Sequence, residues 1–239
     1  MLGRAEVIDR RALLVGTLAC GAGGVCGVVG ARHAAAMATP PSGLSSLPIP
    51  ASRNVAFRLI RQGSTLGTHT LDFSVEGDTL TVQIAVDVVY MFGPIPLVRY
   101  THRNTEVWRG GILTSLDGHT NKNGNLLHMS AHRTPAGLQV EGTNAAPYIA
   151  PEDALPTTYW NARMLQAPMI GTQDGMLVHP RVTEKPVEPV RLASGVQAEA
   201  RCYSLTGDLD LDLWYAPDRT WMSMRFGIAD GSVITYERL

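Results

Sequence analysis

The chain has 239 residues, is 45% hydrophobic and 17% charged, and carries a formal net charge of −1. That balance excludes a global basic field for nucleic acid or anionic lipid, and three cysteines are too few for a disulfide scaffold. The hydrophobic content is enough for a sizeable core.

Residues 1–38 read as an address rather than a fold. Asp9-Arg10-Arg11-Ala12-Leu13-Leu14 has the paired arginines and following apolar residues of a twin-arginine export signal. An uncharged, glycine-rich run from Leu13 to Val29 follows, and Ala34-Ala35-Ala36 and Ala36-Met37-Ala38 both fit an A-x-A cleavage site. An uncleaved anchor is the alternative, but the glycines and the nearby cleavage sites favour removal. The expected location is therefore the periplasm, with no stable membrane insertion after cleavage. The leader takes Arg4, Arg10, Arg11 and Arg32 with it against Glu6 and Asp9. The mature chain then has a formal charge of about −3, and nucleic acid is not expected as a partner. Cys20 and Cys26 leave as well, so Cys202 stays as a lone cysteine, read as a small buried strand residue.

Residues 39–52 form a proline- and serine-rich linker, and residues 53–239 are expected to make a single β-rich domain. From Arg53 the apolar period is two. Val55, Phe57 and Leu59 alternate with polar residues. Gly67, His69, Leu71, Phe73 and Val75 share one face, and Leu80 to Tyr90 is the cleanest alternating run in the chain. Met91–Pro96, with two prolines and a glycine, is expected to break the sheet.

Leu97–Arg133 concentrates ionisable and aromatic side chains within strand-like segments. It holds His102, His119, His128 and His132 of the seven histidines. Period two places Tyr100, His102, Asn104, Glu106 and Trp108 on one face. Arg109-Gly110-Gly111 and Asn123-Gly124 are turn signals, so a returning strand runs over Ile112–Asn121 and a third over Leu126–Arg133. These strands put Tyr100, His102, Glu106, His128 and His132 on neighbouring rows, with register left open.

Leu138–Thr143 is a further short strand, and Asn144–Pro156 a loop able to act as a lid. Thr157–Ala167 carries helix start and stop signals and is predicted as the one short helix. Strand-like segments resume at Met176–Glu184, Val196–Thr206, Leu209–Tyr215, Trp221–Phe226 and Val233–Glu237. The predicted fold class is mainly β: a single curled antiparallel sheet or partly closed β-barrel meander with one short helix.

The run R-Y-x-H-R-x-x-E-x-W-R-x-G-x-L at Arg99–Leu113 and Thr120-Asn121 carry a family resemblance. So do Pro156-Thr157-x-Tyr159-Trp160-Asn161 and Gly207-Asp208-Leu209-x-Leu211-x-Leu213-Trp214-Tyr215. Together they resemble the DUF6134 family, an uncharacterised domain of exported bacterial proteins. At fold level the layout is similar to curved β-sheet proteins that carry lipids or lipoprotein acyl chains through the periplasm. The first resemblance implies no particular activity, and the second is one of fold, a fold that hosts unrelated functions.

Signatures of nucleophilic elbows, phosphate loops, metalloproteases and dithiol redox sites are absent from the sequence. His102 and Glu106 lie ~13 Å apart along their strand and are expected to line one cavity. There Glu106 would have a raised pKa and act as a general base; the alternative is an ion pair with Arg99, Arg103 or Arg109. The histidines lack tight ligand spacing, so cross-strand packing is favoured over a metal site, and no cofactor is expected. Asp210 and Asp212 read as the solvent face of a strand.

Two functions remain. In the first, an apolar or amphipathic small molecule is bound by Tyr100, His102, Trp108, Asn121, His128, His132, Tyr159 and Trp160. In the second, a cofactor-independent lyase, isomerase or hydrolase uses His102, Glu106 and Tyr100 in the same cavity.

Overall fold

Thirteen strands follow one another by antiparallel pairing in a single sheet, because period-two alternation recurs along most of the chain. The computed structural model describes residues 43–92 and 95–239. The signal peptide predicted for residues 1–38 lies outside the described residues. Eight strands come first: β1 (Asn54–Arg61), β2 (Ser64–Glu76), β3 (Thr79–Phe92), β4 (Ile95–Arg109), β5 (Ile112–Lys122), β6 (Asn125–Thr134), β7 (Gly137–Gly142) and β8 (Ala145–Ile149). An inserted segment then carries β9 (Leu155–Pro156), β10 (Met169–Ile170) and β11 (Leu177–Val178). The last five are β12 (Arg181–Arg191), β13 (Gln197–Thr206), β14 (Leu211–Tyr215), β15 (Trp221–Gly227) and β16 (Val233–Arg238).

The C-terminal meander joins the N-terminal one where β16 pairs with β1, so the order runs β12 to β16 and then β1 to β8. β8 and β12 are left as edges, and the sheet curls without closing into a barrel. β12 protects its edge with Pro186, Pro189 and a register shift between Glu184 and Val187. Prolines and bulges discourage further strand addition.

The residues facing inward are those the alternation picks out. Phe57, Leu59, Leu71, Leu80, Val82, Leu116, Val140 and Leu213 are almost wholly buried in one core with the inserted segment. Asp212 lies on the opposite side of β14 from Leu213 and pairs with Arg225 at 2.7 Å and Lys185 at 3.4 Å. Cys202 is buried, free and packed with Val190, Ala200 and Trp214 in a smaller cluster.

Three local expectations need correction. Met91–Pro96 does not break the sheet: β3 continues to Phe92, β4 begins at Ile95, and a register shift after Tyr90 absorbs the irregularity. Asn144–Pro156 is not a lid loop, because Ala145–Ile149 pairs with β7 and Leu155–Pro156 is β9. Thr157–Ala167 is not an α-helix; only Ala162–Gln166 turns, as a 3-10 helix capped by the Asn161 side chain accepting from Arg163 N at 3.2 Å. The backbone before it is committed elsewhere. Thr157 N donates to Ile170 O at 3.0 Å, and Tyr159 takes a left-handed conformation with φ 66° that an α-helix forbids.

The inserted segment fills the concave face of the curled sheet. Trp160 stacks edge-on against Phe73 and Trp108, with centroids 5.3 and 5.7 Å away. Two glycines let its backbone approach closely: a Cβ at Gly118 would lie 2.2 Å from Thr172 O, and one at Gly142 would lie 2.1 Å from Asp174 O.

Candidate functional site

One row of side chains crosses the concave face. Pairing aligns Phe57 with His69, His69 with Val86, Val86 with His102, and His102 with Thr120. The row exists because each of these residues holds an inward position of its strand. Where it meets the inserted segment, a pocket of about 80 Å³ remains. Leu59, Ile84, Val88, Met224 and Phe226 give it apolar walls, while His69, His102, Tyr100, Tyr159, Tyr236 and Gln173 supply polar atoms.

His102 is buried with both ring nitrogens engaged. Nδ1 lies 2.8 Å from Thr120 Oγ1 and Nε2 lies 3.4 Å from Thr172 Oγ1, so this histidine ties the inserted segment to β4 and β5. Burial, followed by the nearby Arg103 guanidinium, holds its pKa down at about 4. His69 is equally buried, but neither ring nitrogen has a hydrogen-bond partner. Its ring edge packs on Trp221 at 5.3 Å and on Tyr236 at 5.7 Å. Burial, with a smaller push from His102, holds its pKa down at about 3.

Three phenols complete the polar side. Burial pushes Tyr159 up to about 12 and raises Tyr100 and Tyr236 further. Tyr159 keeps its place through the Tyr215 hydroxyl, which donates to Tyr159 O at 2.7 Å, and through its ring against Trp221 at 5.4 Å. No aspartate, glutamate, lysine or arginine lines the pocket among the described residues. With neutral imidazoles and un-ionised phenols, the lining carries no formal charge at pH 7.

The residues singled out from sequence divide into three groups. Tyr100, His102 and Tyr159 line the pocket. Glu106, Trp108 and Trp160 form a neighbouring unit that does not reach it. Glu106 Oε2 accepts from Trp108 Nε1 at 2.8 Å and from Trp160 Nε1 at 3.1 Å. Burial pushes Glu106 up to about 7, partly countered by the Thr158, Trp108 and Trp160 side chains. Among the described residues Glu106 pairs with no arginine; Arg103 bonds Asp87 at 2.7 Å on the other face of β4.

Asn121, His128 and His132 are the third group and stand corrected, because all three are exposed on the convex face. The β5–β6 turn pairs Lys122 with Asn125, so Thr120 faces Leu127 and the inward residues of β6 are Leu127, Met129 and Ala131. His128 instead opposes His119, and Asn121 Oδ1 accepts from Gly124 N at 2.8 Å within the turn. Acid–base chemistry among His102, Glu106, His128 and His132 thus has no common cavity. Among the described residues, no group of three or more histidines, cysteines or carboxylates is placed to hold a metal ion.

Sequence reasoning missed His69 and Gln173. The signal for His69 was present, since it is a polar residue on the apolar Gly67–Val75 face. A larger groove of about 470 Å³ lies beside the 3-10 helix, but it is solvent-exposed and its Arg201 and Glu184 satisfy each other at 2.8 Å.

The family described as a domain of unknown function, DUF6134, matches residues 57–239. The chain is also similar to a crystallised β-barrel-like protein of the DUF1849 family from Brucella abortus. The TM-score is 0.53 at 9% identity, covering 78% of this chain and 94% of that one. At that identity the likeness is one of fold. No curated protein matches.

Proposed function

The chain belongs to the DUF6134 family, and from that footing we propose that it is an exported periplasmic protein that binds a small apolar or amphipathic molecule between the curled sheet and its inserted segment. The observation that carries this reading is the pocket itself, apolar in its walls, uncharged throughout and furnished with convergent polar atoms. Binding sites combine these features, with the polar groups fixing ligand orientation. A charged ligand would lose its hydration with no opposite charge to meet it, which favours a neutral one. The volume of about 80 Å³ admits a ligand, or the terminal group of one, of only a handful of non-hydrogen atoms. A whole acyl chain requires the inserted segment to move.

Native mass spectrometry of gently purified protein tests the reading. Wild type should carry a non-covalent adduct that organic solvent extracts. A Val88→Phe variant, which fills the pocket, should lose it at a stability cost of about 1–3 kcal/mol. Bare protein in both samples counts against binding.

A further inference from the structure

We propose that the pocket is a recognition site for a neutral hydroxyl group, read by His69 and Gln173, so that the ligand class is a compact alcohol rather than a hydrocarbon or an acid. The inference rests on the binding reading above and adds the chemistry of recognition. His69 is 4% exposed, lines the pocket and has no partner at either ring nitrogen. Gln173 lines the same pocket, and its Oε1 is buried without a partner. Buried polar groups are satisfied in the great majority of folded proteins, so unpartnered atoms on residues that line a pocket mark where a ligand or ordered water completes the set.

The missing partner has a defined character. A neutral imidazole presents one N–H donor and one lone pair, and the carbonyl oxygen of Gln173 only accepts. A hydroxyl meets two of the three atoms at once, its oxygen accepting from the imidazole N–H and its one proton going to the Gln173 oxygen or the imidazole lone pair. A hydrocarbon leaves all three atoms unsatisfied. A carboxylate brings charge into a lining that has none to answer it. His102 does not share the task, since Thr120 and Thr172 already occupy its ring.

The test uses three probes of similar size on the full mature protein with ¹⁵N-labelled histidine: 1-butanol, diethyl ether and butanoate. Expected is a saturable shift of the His69 ring resonances with 1-butanol, about tenfold weaker binding of the ether, and no binding of butanoate. One lost hydrogen bond corresponds to about that factor. His69→Phe and Gln173→Leu, followed through the ring resonances of His102 in the same lining, should each weaken 1-butanol by a similar factor, with thermal unfolding confirming that both variants fold. Equal affinity for alcohol and ether, or undiminished affinity in both variants, overturns hydroxyl recognition but leaves the binding reading standing. No saturable shift with any probe also overturns it, a water-filled site being the result. The adduct seen by native mass spectrometry on the same sample then decides the binding reading separately.

Discussion

His69 and His102 stand on one cross-strand row with Val86 between them, yet only His102 has its ring nitrogens occupied. The two imidazoles share burial and a depressed pKa. They differ in what the inserted segment offers them: Thr172 reaches His102, and the pocket opens beside His69. The same row therefore holds one histidine fastened to the inserted segment and one whose ring nitrogens have no partner.

Replacing the orphan should stabilise the empty protein. His69→Phe keeps a flat ring among Phe57, Trp221 and Tyr236 and removes two unsatisfied atoms. The expected gain is about 1–3 kcal/mol, raising Tm by about 2–4 °C per kcal/mol in a chain of this size. Calorimetry of ligand-stripped wild type and variant checks it. A fall in Tm would mean that the imidazole is satisfied in the empty protein.

Glu106 should make stability depend on pH in the direction opposite to the histidines. Its folded pKa of about 7 lies above its ordinary 4.5, so the folded state holds a proton that the unfolded chain releases between those values. Stability contributed by Glu106 is present below pH 4.5 and lost as pH rises toward 7. His69 and His102, at about 3 and 4 against an ordinary 6.5, cost stability as pH falls below 6.5. Glu106→Gln removes the first effect and keeps the second. Relative to wild type it should gain about 1.4 kcal/mol per pH unit between 4.5 and 7. Denaturant titrations at pH 5, 6 and 7 measure that slope; parallel curves would mean that Glu106 titrates normally.

Trp160 should hold the inserted segment in place. It is buried against Phe73 and Trp108 and donates to Glu106. Trp160→Ala should cost about 3–5 kcal/mol and release hydrogen-exchange protection in residues 150–178 before the meander loses any. Simultaneous loss across the whole chain would show that segment and sheet open as one unit.

Much of this was legible in the sequence, for a physical reason. Period two needs no knowledge of pairing partners, so the inward set Tyr100, His102, Asn104, Glu106 and Trp108 could be read directly, and all five are buried. His128 and His132 were placed by residue type, whereas Leu127, Met129 and Ala131, alternating with them, already marked the inward side. The inserted segment was not legible. Two-residue strands have no period, and the left-handed Tyr159 follows from contacts distant in sequence.

Export should depend on the paired arginines near the N-terminus. Arg10→Lys with Arg11→Lys should leave full-length precursor in the cytoplasm, while wild type yields a mature N-terminus near Met37 or Thr39 by mass spectrometry. Unchanged export of the double variant would remove the twin-arginine assignment.

The most direct measurement is high-resolution density in the pocket of protein purified without organic solvent. The expected result is a non-protein feature larger than water, with an oxygen within about 3 Å of a His69 ring nitrogen. A pocket closed by its own side chains, or occupied only by water bonded to His69 and Gln173, would contradict the proposed binding function.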